Sequence, residues 1–590
     1  MSDKKDTEKS KKSEKNKKKL SKREIKDTQQ DSEQNSYDST QSDQENSSNV
    51  ARKPRHFRTN PAKHQTFMEY INSCDKLNVI SVLVTIIAVI TMAYIGIDEC
   101  KRCFYEMADC QVDRINQTLT NHQLIPNNLK NRKYWTYFRK EATSTDARLK
   151  HVYRVLDAFG YHQETPVSGK DISDISSDWD LLWAFDYPFV NQYARLKNLK
   201  PHQKVNHLPG CGYITTKVEL STTPLKYILP AFKLPSDKEK FLNFTEKHPK
   251  KKYVIKDNEH RHIKVKSLEE IKTEGHLNTN GSFVQEFLDK PLLVSGHMFD
   301  IGIYTIITSV DPLRIYIYNG DVLLRFCPQK LKPFDPNNLD KYVVGDDYLP
   351  IWEVEKIQYW YKKLGYGMRD SLNAYLADDG RDGTTIWRQI EEAIGIAIHS
   401  KQSKIVEIIK RFKSKRNFFE LMRFDFLVDE KLNVFLLEAN MSPNLSSAHF
   451  KPNQLLYEQV LFNLFGLIGL GDRVTKSVAL RSLEDIAMET SEKNIMVLPN
   501  LCSSALCRNN CDDLDCRLCK ACLAENKELE QDLREAHKEH INRGDCKRIF
   551  PPTMEPFKKL PKSLQELQIS DQLMYMWFQE KCNLDRTWCW

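Results

Sequence analysis

The sequence predicts a mixed α/β (α+β) body, preceded by one membrane-spanning helix and followed by a cysteine-rich extension. Three observations predict it. Between about residues 131 and 475, short runs rich in β-branched and aromatic residues alternate with stretches of helical apolar spacing. The run 77–97, "LNVISVLVTIIAVITMAYIGI", carries no charge over a length that crosses a bilayer as a helix. Nine of the 15 cysteines lie beyond residue 500.

The 590 residues have room for about three or four domains. A net charge of +8 is small for this length and unevenly spread. No helix-turn-helix spacing, zinc-finger spacing or aromatic nucleic-acid signature accompanies it, so no nucleic-acid partner is expected. Residues 1–76 begin with the Lys-rich "KKSEKNKKKLSKREIK" and continue through a polar Ser/Gln tract. Such a segment buries too little surface to offset its ordering entropy and reads as a disordered tail. The apolar run 77–97 lies too far from Met1 for an ordinary cleaved signal and reads as an uncleaved anchor. Arg52, Lys53, Arg55, Arg58, Lys63 and Lys76 precede it, while Lys101 and Arg102 follow closely. The positive-inside rule leaves the N-terminus in the cytosol and sends the body, past a linker at 98–130, to the lumenal or extracellular side.

Cysteine points the same way. Cys502, Cys507, Cys511, Cys516, Cys519, Cys522, Cys546, Cys582 and Cys589 are dense enough for disulfides in an oxidised compartment. A zinc site fits less well, because Cys516 and Cys519 form one clean C-x-x-C with no matching His pair. The pairing stays open, except that Cys582 and Cys589 suit a staple on the aromatic tail. Sequons stand at Asn116, Asn243, Asn280 and Asn444. In the extension, 476–590, "LAENKELEQDLREAHKEHINR" predicts a charged, solvated helix.

Within the body, 252–256, 282–288, 300–310 and 313–320 read as strands, and 386–412 reads as a helix. "MRFDFLVDEKLNVFLLEAN" predicts a hairpin turning at "DEKLN". A turn near Glu430 and Lys431 sets opposite each other residues whose numbers sum to about 861–863, which pairs Asp425 with Glu438. Asn440, two residues on, shares the face of Glu438. Phe424, Phe426, Val434 and Leu436 make the other face apolar. Hard oxygen ligands from adjacent strands suit Mg²⁺ shared with nucleotide phosphates. A kinase is a poor alternative: no Gly-rich loop is followed by catalytic-loop and D-F-G motifs, and "GLIGLG" at 466–471 is too apolar and misplaced for a phosphate loop.

"FDFLVDEKLNVFLLEANMSPNLSS" resembles the metal-binding hairpin of the tubulin–tyrosine ligase-like family, which has an ATP-grasp fold. "WDLLWAF" (179–185), "QKVNHLPGCGYITTKVEL" (203–220), "YVIK" (253–256) and "FVQEFLDKPLLVSGHMFDIGIY" resemble further motifs of that family in the same order, across about residues 130–470. The resemblance implies an ATP-dependent ligase, more akin to polyglutamylases than to tyrosine ligases. It joins free glutamate or another amino acid to the carboxylates of an acidic protein tail, tubulin if the body is cytosolic, through an acyl phosphate. It implies Mg²⁺ on Asp425, Glu438 and Asn440, and phosphates facing Lys217 and Lys256. It also implies an adenine hinge at Gln285, Glu286, Phe287 and Leu288 with Asp300 near the nucleotide, and Arg325 on the carboxylate of the amino acid substrate.

The departures are equally specific. The family's K-F-D-x-R is Met298-Phe299-Asp300-Ile301-Gly302 here, so two cations are missing. The phosphate lid becomes Asp257 and "EHRHIKV", with His260 and His262 where small residues allow close backbone approach, and an L-T-N motif becomes "VVGDDY" (343–348). His297, Arg261 and Lys264 are the nearby cations that could substitute. Losing one such cation costs about 3 kcal/mol of transition-state stabilisation. The alternative is therefore a membrane-anchored pseudo-ligase that binds nucleotide or an acidic partner without turnover. For location, the alternative is the cytosolic face with microtubule association.

Overall fold

The computed structural model describes residues 132–139, 146–164, 167–168, 179–256, 263–471, 487–508 and 510–590. The predicted tail, the apolar run 77–97, the linker, Asn116 and the lid segment 257–262 lie outside the described residues. Among the described residues no helix is long and apolar enough to cross a membrane. Those residues all fall within one compact unit.

Strands and helices interleave as the sequence predicts, and the strands form three sheets. The first is parallel and comprises β1 (Lys133–Phe138), β2 (His162–Gln163), β3 (Val167–Ser168), β4 (Leu181–Ala184) and β5 (Lys204–Val205). The second is antiparallel, with β6 (Ala231–Lys233), β7 (Tyr253–Lys256), β8 (Lys264–Lys266) and β9 (Phe283–Glu286) in the order β6-β9-β7-β8. The third has seven strands: β10 (His297–Val310), β11 (Leu313–Tyr318), β12 (Leu323–Lys330), β13 (Leu349–Pro350), β14 (Glu420–Val428), β15 (Val434–Asn440) and β16 (Cys546–Phe550).

β10 is the axis of the large sheet. It pairs with β12 over its first half, with β11 over its second half and with β14 on its other edge. Nearly every residue along it is buried, as expected for a strand covered on both faces. One cover is helix α2 (Thr384–Ile409), which follows the short helix α1 (Lys217–Ser221). Ile386, Ile390, Ala393, Ile394, Ala397, Ile398 and Ile405 recur along α2 at helical spacing and pack into the main core.

The extension is more than an appendage. β16 pairs antiparallel with β11, so residues beyond 540 supply an edge strand of the large sheet. The predicted charged helix is present as α3 (Lys527–Asn542), but it is not solvated all round. Leu529, Leu533 and Ala536 are buried on it, with Asp532, Glu539 and His540. Glu539 accepts hydrogen bonds from Arg314 Nε (2.9 Å) and Nη2 (3.0 Å), Tyr316 Oη (3.1 Å) and Thr308 Oγ1 (3.0 Å). The expectation of a solvated helix fails because the cation that Glu539 meets stands 225 residues away in β11, beyond the reach of local charge pattern.

Disulfides Cys502–Cys519, Cys507–Cys516 and Cys511–Cys522 tie the cysteine-rich segment, and Cys582–Cys589 closes the aromatic tail. Helix α4 (Ile569–Leu584) brings Met574, Trp577 and Phe578 into a second core with Leu533, Ala536 and Trp588.

Arg314 is 1% exposed and has its closest partner in Glu539, so Glu539→Ala leaves a buried guanidinium with Glu535, at 3.5 Å, as its remaining carboxylate partner. Unfolding in urea under oxidising conditions is expected to show a loss of about 3 kcal/mol for Glu539→Ala, and a smaller loss for Glu535→Ala, whose part-exposed carboxylate lies 3.5 Å from Arg314 and 3.0 Å from Arg416.

Candidate active site

The site starts in the β14–β15 hairpin. Asp429 shapes its turn by accepting from the backbone N–H groups of Lys431 (2.9 Å) and Asn433 (2.8 Å). The register sets Asp425 opposite Glu438 and Arg423 opposite Asn440, as the sum of residue numbers predicts. Strict alternation from Glu438 would then put Leu436 and Val434 on the polar face. A bulge prevents it: Phe426 pairs with Leu436, so Leu437 has no register partner. Val434 and Leu436 therefore join Phe424 and Phe426 in the core, while Leu437, Glu438 and Asn440 line a cavity.

The floor of that cavity is a row of charges across four strands. Gly302 of β10 lies opposite Asp425, and Asp300 lies opposite Arg325 of β12. Arg325 donates to Asp300 through Nε (2.9 Å) and Nη2 (2.7 Å), and to Asp425 Oδ2 through Nη2 (3.0 Å). Arg423 donates to Asp425 through Nε (2.7 Å) and Nη2 (2.9 Å). The Asn440 amide donates to Asp425 (3.1 Å) and Glu438 (3.2 Å). Lys217 Nζ stands 2.9 Å from Glu438. Burial works to raise the Glu438 carboxyl, but the Lys217 ammonium, the Asn440 amide and the Arg423 guanidinium bring it down to about 2. Burial and the neighbouring Asp425 push Asp300 up to about 6, with Arg325 opposing.

Lys217 reaches this row because the "NHLPG" segment before α1 is pinned. Asn206 exchanges two hydrogen bonds with the backbone of Ala184 (2.7 and 2.9 Å). Glu420 of β14 accepts from the backbone N–H of Leu208 (2.8 Å) and lies 2.8 Å from His207 Nδ1.

The four-stranded sheet supplies the opposite wall. Lys256 Nζ donates to Gln285 Oε1 (3.0 Å), and burial pushes its ammonium down to about 8. Phe287 packs against Phe334 and Tyr342. Val254, Phe287, Met298, Tyr342 and Leu427 form an apolar slot beside the hinge, of the kind that fits a planar base.

The cavity holds about 840 Å³. Lys217, Lys256, Gln285, Glu286, Phe287, Leu288, Asp300, Arg325, Asp425, Glu438 and Asn440, the residues singled out in the sequence, all line it. So do Val343, Val344, Gly345, Asp346 and Tyr348 of the departed motif. Of the expected substitute cations, Arg261 lies outside the described residues. His297 is turned to the carbonyl of Cys327 (2.8 Å), and neither it nor Lys264 lines the cavity. Met298 instead adds apolar wall.

Sequence reasoning missed Arg423. The same sum of 863 that pairs Asp425 with Glu438 pairs Arg423 with Asn440, so the signal was there.

Asp425 and Glu438 with the Asn440 amide oxygen suit Mg²⁺, which keeps several waters and takes phosphate oxygens rather than an all-protein cage. The fit rests on the donors: both carboxylates face the cavity and already hold cationic side chains, and Asn440 bridges them. Among the described residues no group of three or more His, Cys, Asp or Glu side chains gathers as a metal site.

The family profile described as "Tubulin-tyrosine ligase family" matches residues 194–476. A Caenorhabditis elegans protein named "Probable tubulin polyglutamylase ttll-15" is 42% identical over 449 residues, covering 74% of this chain and 83% of that protein. The mouse "Tubulin polyglutamylase TTLL6" is 28% identical over 326 residues, 51% of this chain and 38% of its own length. The mouse "Tubulin monoglutamylase TTLL4" is 28% identical over 297 residues, 47% of this chain and 24% of its own.

A Lys256 ammonium that titrates near 8 gives a pH signature. The charged form attracts phosphate, so nucleotide affinity is expected to fall as pH rises from about 7 to 9, with the fall abolished in Lys256→Arg, whose side chain stays charged. Calorimetric titration with an ATP analogue at several pH values checks it.

Proposed function

Because the chain belongs to the tubulin–tyrosine ligase family, we propose that it is an ATP-dependent ligase joining glutamate to carboxylates of an acidic protein tail. The observation that carries this reading is the row Lys217, Glu438, Asp425 and Arg325 along the floor of one cavity, with the hinge and Lys256 on the facing wall.

Each residue then has a task. The slot of Val254, Met298 and Leu427 and the hinge Gln285–Leu288 hold the base. Lys217 and Lys256 place ammonium groups toward the phosphates, where charge develops as the terminal phosphoryl group moves. Asp425, Glu438 and Asn440 would hold Mg²⁺, which when bound withdraws charge from the phosphate oxygens. Arg325 orients the carboxylate of the incoming amino acid. The acceptor carboxylate oxygen attacks the terminal phosphorus and ADP leaves. The amine nitrogen of glutamate attacks the acyl carbon of the resulting acyl phosphate. An amide bond forms, the carbon–oxygen bond to phosphate breaks, and the amine proton passes to solvent.

Two finer points are part of the proposal. The four disulfides support a body on the lumenal or extracellular side, with the run 77–97 as its anchor. The relatives' names make tubulin the first acceptor to assay; the disulfides make a lumenal acidic protein the second. A reading without turnover has one specific observation in its favour, the apolar Met298 in place of a cation.

The full chain with Mg²⁺ and ATP is expected to incorporate labelled glutamate into an acidic protein. Glu438→Gln is expected to lower the rate by about a hundredfold or more. Retained ATP binding without incorporation by the unaltered chain would leave the pseudo-ligase.

A further inference from the structure

Gly302 carries no left-handed backbone requirement, since its φ lies outside the positive region. It is therefore not needed for its conformation. What it provides is space. A Cβ there would stand 2.9 Å from Arg423 Cδ, 3.3 Å from Arg423 Nε and 3.3 Å from Asp425 Oδ1. Arg423 sits opposite Tyr304, one pleat along, and its side chain runs back over Gly302 to reach Asp425. The bare strand at 302 is the channel through which that guanidinium enters the cavity floor.

Arg423 is 6% exposed and lines the cavity, and among the described residues its hydrogen bonds both go to Asp425. Asp425 is thus shared by two guanidinium groups, Arg325 and Arg423. Among the described residues only Arg325 has a second carboxylate, Asp300. A ligand that draws Asp425 away leaves Arg325 still paired and Arg423 without its acceptor, on the cavity wall. A buried guanidinium in that position calls for an anion. A free amino acid with a side-chain carboxylate brings two anionic groups, which matches two guanidinium groups set around Asp425.

We propose that Arg423, admitted by the missing side chain of Gly302, is a specificity-determining residue that receives the side-chain carboxylate of the amino acid substrate, while Arg325 receives the other. This rests on the ligase reading above. It explains how a chain that lacks a cation at 302 keeps one in the same space, delivered from the neighbouring strand.

The test uses the full chain, Mg²⁺ and a non-hydrolysable ATP analogue, with glutamate and its uncharged isostere glutamine titrated by calorimetry. The preference for glutamate over glutamine is expected to fall about tenfold or more in Arg423→Ala, and by less in Arg423→Lys. Gly302→Arg alone is expected to lose glutamate binding and melt earlier, because two side chains compete for one space. Gly302→Arg combined with Arg423→Gly is expected to restore both stability and the preference for glutamate over glutamine; a merely structural role for Arg423 would restore stability with no change in that preference across the series. Unchanged glutamate preference in Arg423→Ala, or a paired variant no better than Gly302→Arg, would overturn the proposal alone. An unaltered chain that binds the analogue but neither amino acid would overturn the ligase reading and the proposal together.

Discussion

The charge balance around Asp425 is the constraint on which the site depends. This carboxylate is 1% exposed, and removing ions from water costs several kcal/mol each unless partners stand at hydrogen-bond distance. The floor meets that demand by matching Asp300, Asp425 and Glu438 against Arg325, Arg423 and Lys217. The match needs β10, β12, β14 and β15 in one register. It also needs the bulge at Leu437 to turn Glu438 toward the cavity while Val434 and Leu436 stay in the core. A cluster neutral in itself is a sound resting state for a site that must later accept phosphates, a divalent cation and carboxylates, because the guanidinium and ammonium groups hold the acids in place beforehand.

The same physics recurs at the junction with the extension. Arg314 is buried in β11 and finds Glu539 on α3, and β16 closes an edge of the large sheet. These contacts make residues beyond 475 part of the large sheet that carries the site. The disulfides lie in the segment whose own core is smaller, where cross-links stabilise most usefully.

Much of this was legible in the sequence, and what was not has identifiable causes. Period-two alternation and a turn at Glu430 located the hairpin and paired Asp425 with Glu438. That arithmetic also contained Arg423, but an arginine two residues before an acid reads as a surface charge until its neighbour is seen to be Gly302. The bulge was invisible, since one inserted residue changes no composition. Glu539 looked solvated because its partner is remote in sequence. Cysteine spacing indicated disulfides, while their pairing followed from how the chain folds back. Met298 and Gly302 read as two losses of charge; in three dimensions one is an apolar wall and the other is filled by Arg423.

The most direct measurement is a crystal structure of the full chain with Mn²⁺ and a non-hydrolysable ATP analogue, using anomalous scattering to place the metal. The expected result is one strong peak between Asp425, Glu438 and Asn440, with phosphates against Lys217 and Lys256 and the Arg423 guanidinium turned from Asp425 into the cavity. Analogue bound with the metal elsewhere, and both guanidinium groups still closed on Asp425, would contradict the central claim that this neutral cluster is a metal–nucleotide site held ready.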